Sequence, residues 1–211
     1  MKVDYQKICQ NLLKDLPDRQ KEVILRRFGL KTGQRETLEA IGKSYGITRE
    51  RVRQIEEDGF LRLKSKITSK QCARIFQYFI NSLKTTGNLR KEDILLSQLG
   101  KGKYQAQIFF LLTLGEQFTP FRDKSLTGFK RFSETKELHV FWTTNPHSLA
   151  LAQKVIETFY NKLRKDGRPL RLLNCKFPAS LDSKTLQSFL EISKIIQKNP
   201  EGLFGLRDWP E

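Results

Sequence analysis

The chain has 211 residues, 38% hydrophobic and 29% charged, enough for one large domain or two to three small ones with their own cores, so a disordered chain is not expected. Its 39 Lys and Arg against 23 Asp and Glu leave a formal charge of +16, which points to a polyanionic partner, nucleic acid ahead of an anionic membrane surface. No apolar run approaches the roughly 20 residues of a membrane span, and MKVDYQKICQ lacks the apolar core of a signal peptide, so a cytoplasmic protein with no membrane partner is expected. Cys9, Cys72 and Cys175 are odd in number and far apart, which suggests neither a disulfide framework nor a metal knuckle.

Up to about Lys66 the pattern is one of short helices. Tyr5, Ile8, Leu12 and Leu13 recur at helical spacing, Leu16-Pro17-Asp18 breaks the run, and Val23, Ile24, Leu25 and Phe28 resume it before Gly29, a natural C-cap. The polar stretch 31–36 connects to a helix capped by Thr37 and bearing Leu38 and Ile41. Gly46 suits the left-handed conformation of a tight turn, and Thr48 caps a longer helix with Val52, Ile55, Phe60 and Leu63 inward. Two helices joined by such a turn make a helix-turn-helix.

A further amphipathic helix spans about 69–83, and Thr85-Thr86-Gly87-Asn88 marks a boundary. Residues 90–115 read as helical, whereas 117–143 alternates aromatic and polar residues around Thr127-Gly128 and ends in Leu138-His139-Val140-Phe141-Trp142, a hairpin pattern. Pro146 to Lys165 reads as one long helix closed by Asp166-Gly167, and Leu181 to Gln197 as a further pair of helices leading into an aromatic tail. The fold class expected is mostly α: a helix-turn-helix domain over 1–68, a linker helix over 69–88, a winged-helix-like domain over 89–145, and a helical, winged-helix-like domain over 146–211.

Chemistry concentrates in TLEAIGKSYGITRERVRQIEEDGFLRL, residues 37–63. Arg49, Glu50, Arg51, Arg53 and Gln54 fill the first two turns of the second helix, the part that enters a major groove. Arg pairs with guanine, Gln with adenine, and Glu accepts from cytosine, so this set includes three kinds of base reader. Thr37 and the free amides at the start of the preceding helix suit a phosphate.

Leu16-Pro17-Asp18-Arg19-Gln20-Lys21-Glu22-Val23-Ile24-Leu25-Arg26-Arg27-Phe28-Gly29-Leu30, with Thr37-Leu38-Glu39 and Thr48-Arg49-Glu50-Arg51-Val52-Arg53-Gln54-Ile55-Glu56, resembles region four of the sigma-70 family of bacterial RNA polymerase sigma factors over about residues 5–66. The resemblance implies binding to promoter-like double-stranded DNA and to the beta flap of RNA polymerase core, met by the surface around Leu12, Val23, Leu25 and Phe28. It implies that Arg49, Glu50 and Gln54 read bases while Arg19, Thr37, Leu38, Arg51 and Arg53 support backbone contacts. Glu57, Asp58, Gly59 and Leu61 depart from the strongly basic last helix usual in that family, which argues against activator contact, and only about 15 residues precede the motif, so a complete sigma factor is not expected. Ile192 to Ile196 followed by Gly202-Leu203-Phe204-Gly205-Leu206-Arg207-Asp208-Trp209 is similar to the HARE-type winged helix.

His139 and His147 have no sequence-evident Cys, Ser or carboxylate partner, and no metal spacing, phosphate-binding Gly loop or nucleophile elbow is present, so neither an enzyme nor a cofactor is expected. Core packing accounts for most of Phe109, Phe110, Phe118, Phe121, Phe129, Phe132, Phe141 and Trp142 better than base stacking does. The function expected is a sequence-specific DNA-binding transcription regulator or polymerase accessory factor. The alternatives are an adaptor that binds the polymerase flap without reading DNA, and the DNA-binding arm of a nuclease or recombinase. A winged helix would cover Phe204, Leu206 and Trp209 with a strand after Trp209; without one, either the natural chain continues or Trp209 folds back onto helices bearing Phe189, Ile192 and Ile196.

Overall fold

A computed structural model of the chain describes residues 3–118 and 128–209; Phe121 and Thr127 lie outside them. The described residues are mostly helical, with small antiparallel strand pairs. They divide into two compact units, Met1–Gln77 with Leu96–Phe118, and Tyr78–Leu95 with Thr119–Glu211. No described helix is long and apolar enough to cross a membrane.

In the first unit the helices form where the caps and breaks lie. Asp4 accepts from the Lys7 amide to start α1 (Tyr5–Leu13), and α2 (Asp18–Phe28) follows Pro17 and stops at Gly29, whose φ of 64° is left-handed. Thr37 accepts from the Ala40 amide to begin α3 (Leu38–Tyr45), which ends at Gly46 with φ 65°. Thr48 accepts from the Arg51 amide to begin α4 (Arg49–Ile67). Along α4 the inward positions Val52, Ile55, Phe60, Leu63 and Ile67 keep to one face and are buried, each worth about 1.5–3 kcal/mol.

Gly59 opens that face to a neighbour. A Cβ there would lie 2.9 Å from Ile24 Cδ1 and 3.5 Å from Gln20 Cβ, so an interior glycine that costs about 0.5–1 kcal/mol in helix propensity lets α4 approach α2 closely. The apolar helix α7 (Gln105–Phe118) closes the core of this unit. Its Phe110 ring meets Phe28 at 5.2 Å and Phe60 at 6.0 Å, and Phe28 and Phe60 meet each other at 5.6 Å. Cys9 and Cys72 are buried free thiols of this unit.

The helix α5 (Lys70–Lys84) and α6 (Glu92–Gly100) each contribute residues to both units. In the second unit, β1 (Leu89–Lys91), β2 (Lys130–Phe132) and β3 (Phe141–Thr143) form an antiparallel sheet with β3 central, pairing Lys91 and Phe132 with Phe141. The buried Glu92 carboxylate accepts from Trp142 Nε1 at 2.9 Å and from Arg131 Nη2 at 2.9 Å, fastening this sheet through a fully partnered charge. The long helix α8 (His147–Asp166) stops at Gly167, φ 64°, and α9 (Ser183–Glu191) is capped by Asp182.

The second helix expected within 181–197 is replaced by a strand. Ile196–Lys198 is β4, paired with β5 (Phe204–Leu206), because Ile192 closes against the core while Leu170 bridges Phe204 from outside the local sequence. The strands that cover the aromatic tail therefore precede Trp209. Its ring packs partly buried against the cluster that holds Phe189, Ile192 and Ile196, the last of these in a strand and not a helix. Phe110, Phe129, Phe141 and Trp142 are fully buried and not available for stacking on bases, while Phe109, Phe118 and Phe132 are partly buried.

Gly29 and Gly46 both end helices left-handed, but a Cβ at Gly29 would stand 2.6 Å from the Gln34 carbonyl carbon while one at Gly46 meets nothing within 4 Å. Gly46→Ala should cost about 1–2 kcal/mol in urea unfolding, and Gly29→Ala at least twice that; equal losses would contradict the packing around Gly29. Burial pushes the Glu56 carboxyl above its ordinary range although Arg27 lies 3.6 Å away. The unfolded chain releases that proton first, so the wild type should lose stability relative to Glu56→Gln as pH rises from about 4 to about 7. A relative gain over that range would contradict the burial of Glu56.

Candidate nucleic-acid interface

The turn between α3 and α4 sets the interface. Gly42 is buried, and a Cβ on it would stand 2.7 Å from the Ile47 carbonyl oxygen, so the bend closes more tightly than any other residue permits. Ile41, Val52, Val23 and Ile55 pack behind the bend, with Leu38, Tyr45 and Ile47 at its margin. Because Val52 and Ile55 point inward, Arg49, Glu50, Arg51, Arg53 and Gln54 all project outward, and all five are exposed.

Four of these five side chains, Glu50, Arg51, Arg53 and Gln54, are partnered among themselves. Arg53 forks onto Glu50, Nε to Oε2 at 2.9 Å and Nη2 to Oε1 at 2.7 Å, and pairs with Glu57 one turn further along. Arg51 Nη1 donates to Gln54 Oε1 at 3.0 Å. Arg53 holds the Glu50 carboxyl below the usual carboxylate range. Glu50 therefore stays an acceptor at neutral pH. Exposed pairs of this kind contribute little to stability and exchange readily for a ligand.

Around this helix the remaining predicted residues take distinct positions. Thr37 uses its hydroxyl to cap α3, and Leu38 turns its side chain into the apolar cluster, leaving its contribution to the amide end of α3. Arg19 is exposed and lies 3.6 Å above the Tyr45 ring, which positions its guanidinium beside the end of α3. Arg26 was not among the predicted contacts. It grips Glu36 at 2.6 and 2.9 Å and donates to Ser44 Oγ at 2.7 Å, fastening the connector to α3. The spacing of Arg26 and Glu36 across a loop carries no periodic signal, so only the tertiary fold reveals the pair.

Of the residues expected at a polymerase surface, Leu12, Val23 and Phe28 are buried, and Phe28 lies under α7. Leu25 alone is partly open, in a groove of about 360 Å³ shared with Leu13 and Leu30 and rimmed by Lys21 and Lys31. Away from the helix-turn-helix, His139 is half-buried and desolvation lowers its pKa, and among the described residues no cluster of three His, Cys, Asp or Glu side chains stands where a metal ion could be held.

Residues 12–65, which take in α2, α3 and α4 nearly to its end, match the family model for Sigma-70, region 4. The chain is 47% identical over 62 residues to the RNA polymerase sigma factor RpoS of Coxiella burnetii, a stretch covering 29% of this chain and 18% of that protein. It is 44% identical over 62 residues to the RNA polymerase sigma factors SigA of Listeria monocytogenes and Listeria innocua, covering 29% of this chain and 17% of each of those. The chain thus spans less than a fifth of the length of these relatives. Over residues 12–65 the chain is therefore similar to region 4 of the sigma-70 factors, and its helix-turn-helix is built within that segment.

Proposed function

We propose that the protein is a sequence-specific DNA-binding transcription regulator or polymerase accessory factor whose α4 enters the major groove of promoter-like duplex DNA. The observation that carries this reading is the outward cluster on the first two turns of α4, held by a glycine-tight turn and coinciding with the segment similar to sigma-70 region 4. In this reading Arg49, Glu50 and Gln54 meet base edges, and Arg51 and Arg53 leave their internal partners for phosphates. Arg19 and the amide end of α3 at Thr37 and Leu38 hold the flanking backbone.

The relatives are named as RNA polymerase sigma factors, which supports a second partner, polymerase core through its beta flap. The groove at Leu13, Leu25 and Leu30 is the surface that favours it, because Leu12, Val23 and Phe28 are already buried within the unit. An adaptor that binds the flap without reading DNA is distinguished by the duplex-binding experiment below.

Duplexes selected by the full chain from a random pool should share a motif. Arg49→Ala or Gln54→Ala should weaken binding to it by about 1–3 kcal/mol and relax preference at one base position. Uniform weakening on all sequences would contradict base reading, and failure to select any motif would favour the adaptor. A pull-down with purified polymerase core should recover the chain at low salt and lose it on Leu25→Asp; recovery unchanged by that substitution would place polymerase contact elsewhere.

A further inference from the structure

In the second unit α8, the 3-10 turn Leu172–Asn174, α9 and the β4–β5 hairpin follow one another in the order of a winged helix, with α9 where a recognition helix would stand. The fold closes that route. Leu186, Ser188, Phe189 and Leu190 are buried, Ser188 Oγ donates to the Leu89 carbonyl, and Glu191 pairs with Arg90 at 3.1 Å. The backbone at Gly87 is seated so closely that a Cβ there would stand 2.4 Å from Thr185 Cγ2. Residues 87–90 thus cover the side of α9 that bears Thr185, Ser188 and Glu191, and only Ser183 and Lys184 of that helix are exposed.

The cations of this unit gather elsewhere. Between 164 and 176 stand Arg164, Lys165, Arg168, Arg171 and Lys176 against a single carboxylate, Asp166, and that one is taken by Lys162 at 2.9 Å. All five are exposed, and none forms an ion pair among the described residues. They belong to one corner. Phe177 stacks on Phe159 of α8 at 6.2 Å, and Leu172 and Cys175 pack on the cluster that includes Leu163, so the 172–177 segment lies back along the last turns of α8. At the tip of the 3-10 turn Leu173 is 86% exposed, the most open large apolar residue among those described. An isolated surface leucine means little. Here it stands in a segment of exposed cations that form no ion pair among the described residues, and a groove edge, apolar at the sugars and anionic at the phosphates, complements both.

We propose that this corner is a second contact surface for duplex DNA, in which Arg164, Lys165, Arg168, Arg171 and Lys176 neutralise phosphates while Leu173 lies against the sugar edge between them. It reads no sequence. Its role is to add affinity to the specificity proposed for α4, and it rests on the reading that the chain binds duplex DNA.

The test is binding of the full chain to a duplex of about 30 base pairs, followed by fluorescence anisotropy from about 50 to about 200 mM salt. The triple variant Arg164→Gln/Arg168→Gln/Arg171→Gln should make the slope of log K against log salt shallower by about 2–3 units and weaken binding at least about tenfold at the lower salt, with sequence preference intact. Leu173→Ser should lower affinity about threefold or more at an unchanged slope. Circular dichroism of each variant shows that it is folded. An unchanged slope in the triple variant, a Leu173→Ser chain that binds like wild type, or a loss seen only on phosphatidylserine vesicles and not on DNA overturns the proposal. Failure of α4 as reader is distinguishable, because Gln54→Ala would then leave sequence preference unaltered while the slope still responds to the corner substitutions.

Discussion

The proposed reading surface depends on an apolar contact that faces away from it, the seam of α2, α3 and α4 where Val23, Ile41, Val52 and Ile55 are buried together. Two residues decide its geometry. Gly42 brings the backbone within reach of the Ile47 carbonyl, where a Cβ would stand 2.7 Å away, and Gly46 reverses the chain with φ 65°. Once Val52 and Ile55 are committed inward, the 3.6-residue repeat sends Arg49, Glu50, Arg53 and Gln54 outward on the opposite face. The polar array is thus a consequence of the core. Loosening the seam would cost reading precision before it cost charge.

Electrostatics acts on this array at two ranges. The overall +16 draws polyanions regardless of sequence, whereas Glu50 and Glu57 hold Arg53 within the helix until a ligand replaces them. Those pairs are exposed and worth little individually, so exchanging them for phosphates is inexpensive. In the proposed reading Glu50 also places a negative charge on the face turned to DNA, where a base donor such as the cytosine amino group would have to meet it. On that reading the same carboxylate lowers non-specific attraction and sharpens discrimination.

Much of the helix-turn-helix was legible in the sequence because its determinants are local. Thr37 and Thr48 cap, Gly29 and Gly46 stop, and the apolar spacing of α4 fixes its face. Features set by distant contacts were not legible. Ile196–Lys198 looks helical until Leu170 and Phe204 draw the segment into strands, and Gly59 looks like a defect until Ile24 is seen against it. The burial of Phe28 depends on Phe110, 82 positions along the chain, which no periodicity in residues 5–66 could signal. The role of Arg26 is hidden from the sequence for the same reason, since its partner Glu36 lies across a loop.

The account stands on α4 lying in the major groove, and interference by base methylation examines that directly. Guanine N7 faces the major groove and adenine N3 the minor groove, so partial methylation of a selected duplex reports which groove is entered. Methylation of guanine N7 within the motif should block binding of the full chain while adenine N3 methylation there has no effect. Blocking by adenine N3 methylation alone would mean that α4 does not occupy the major groove, and would contradict the account.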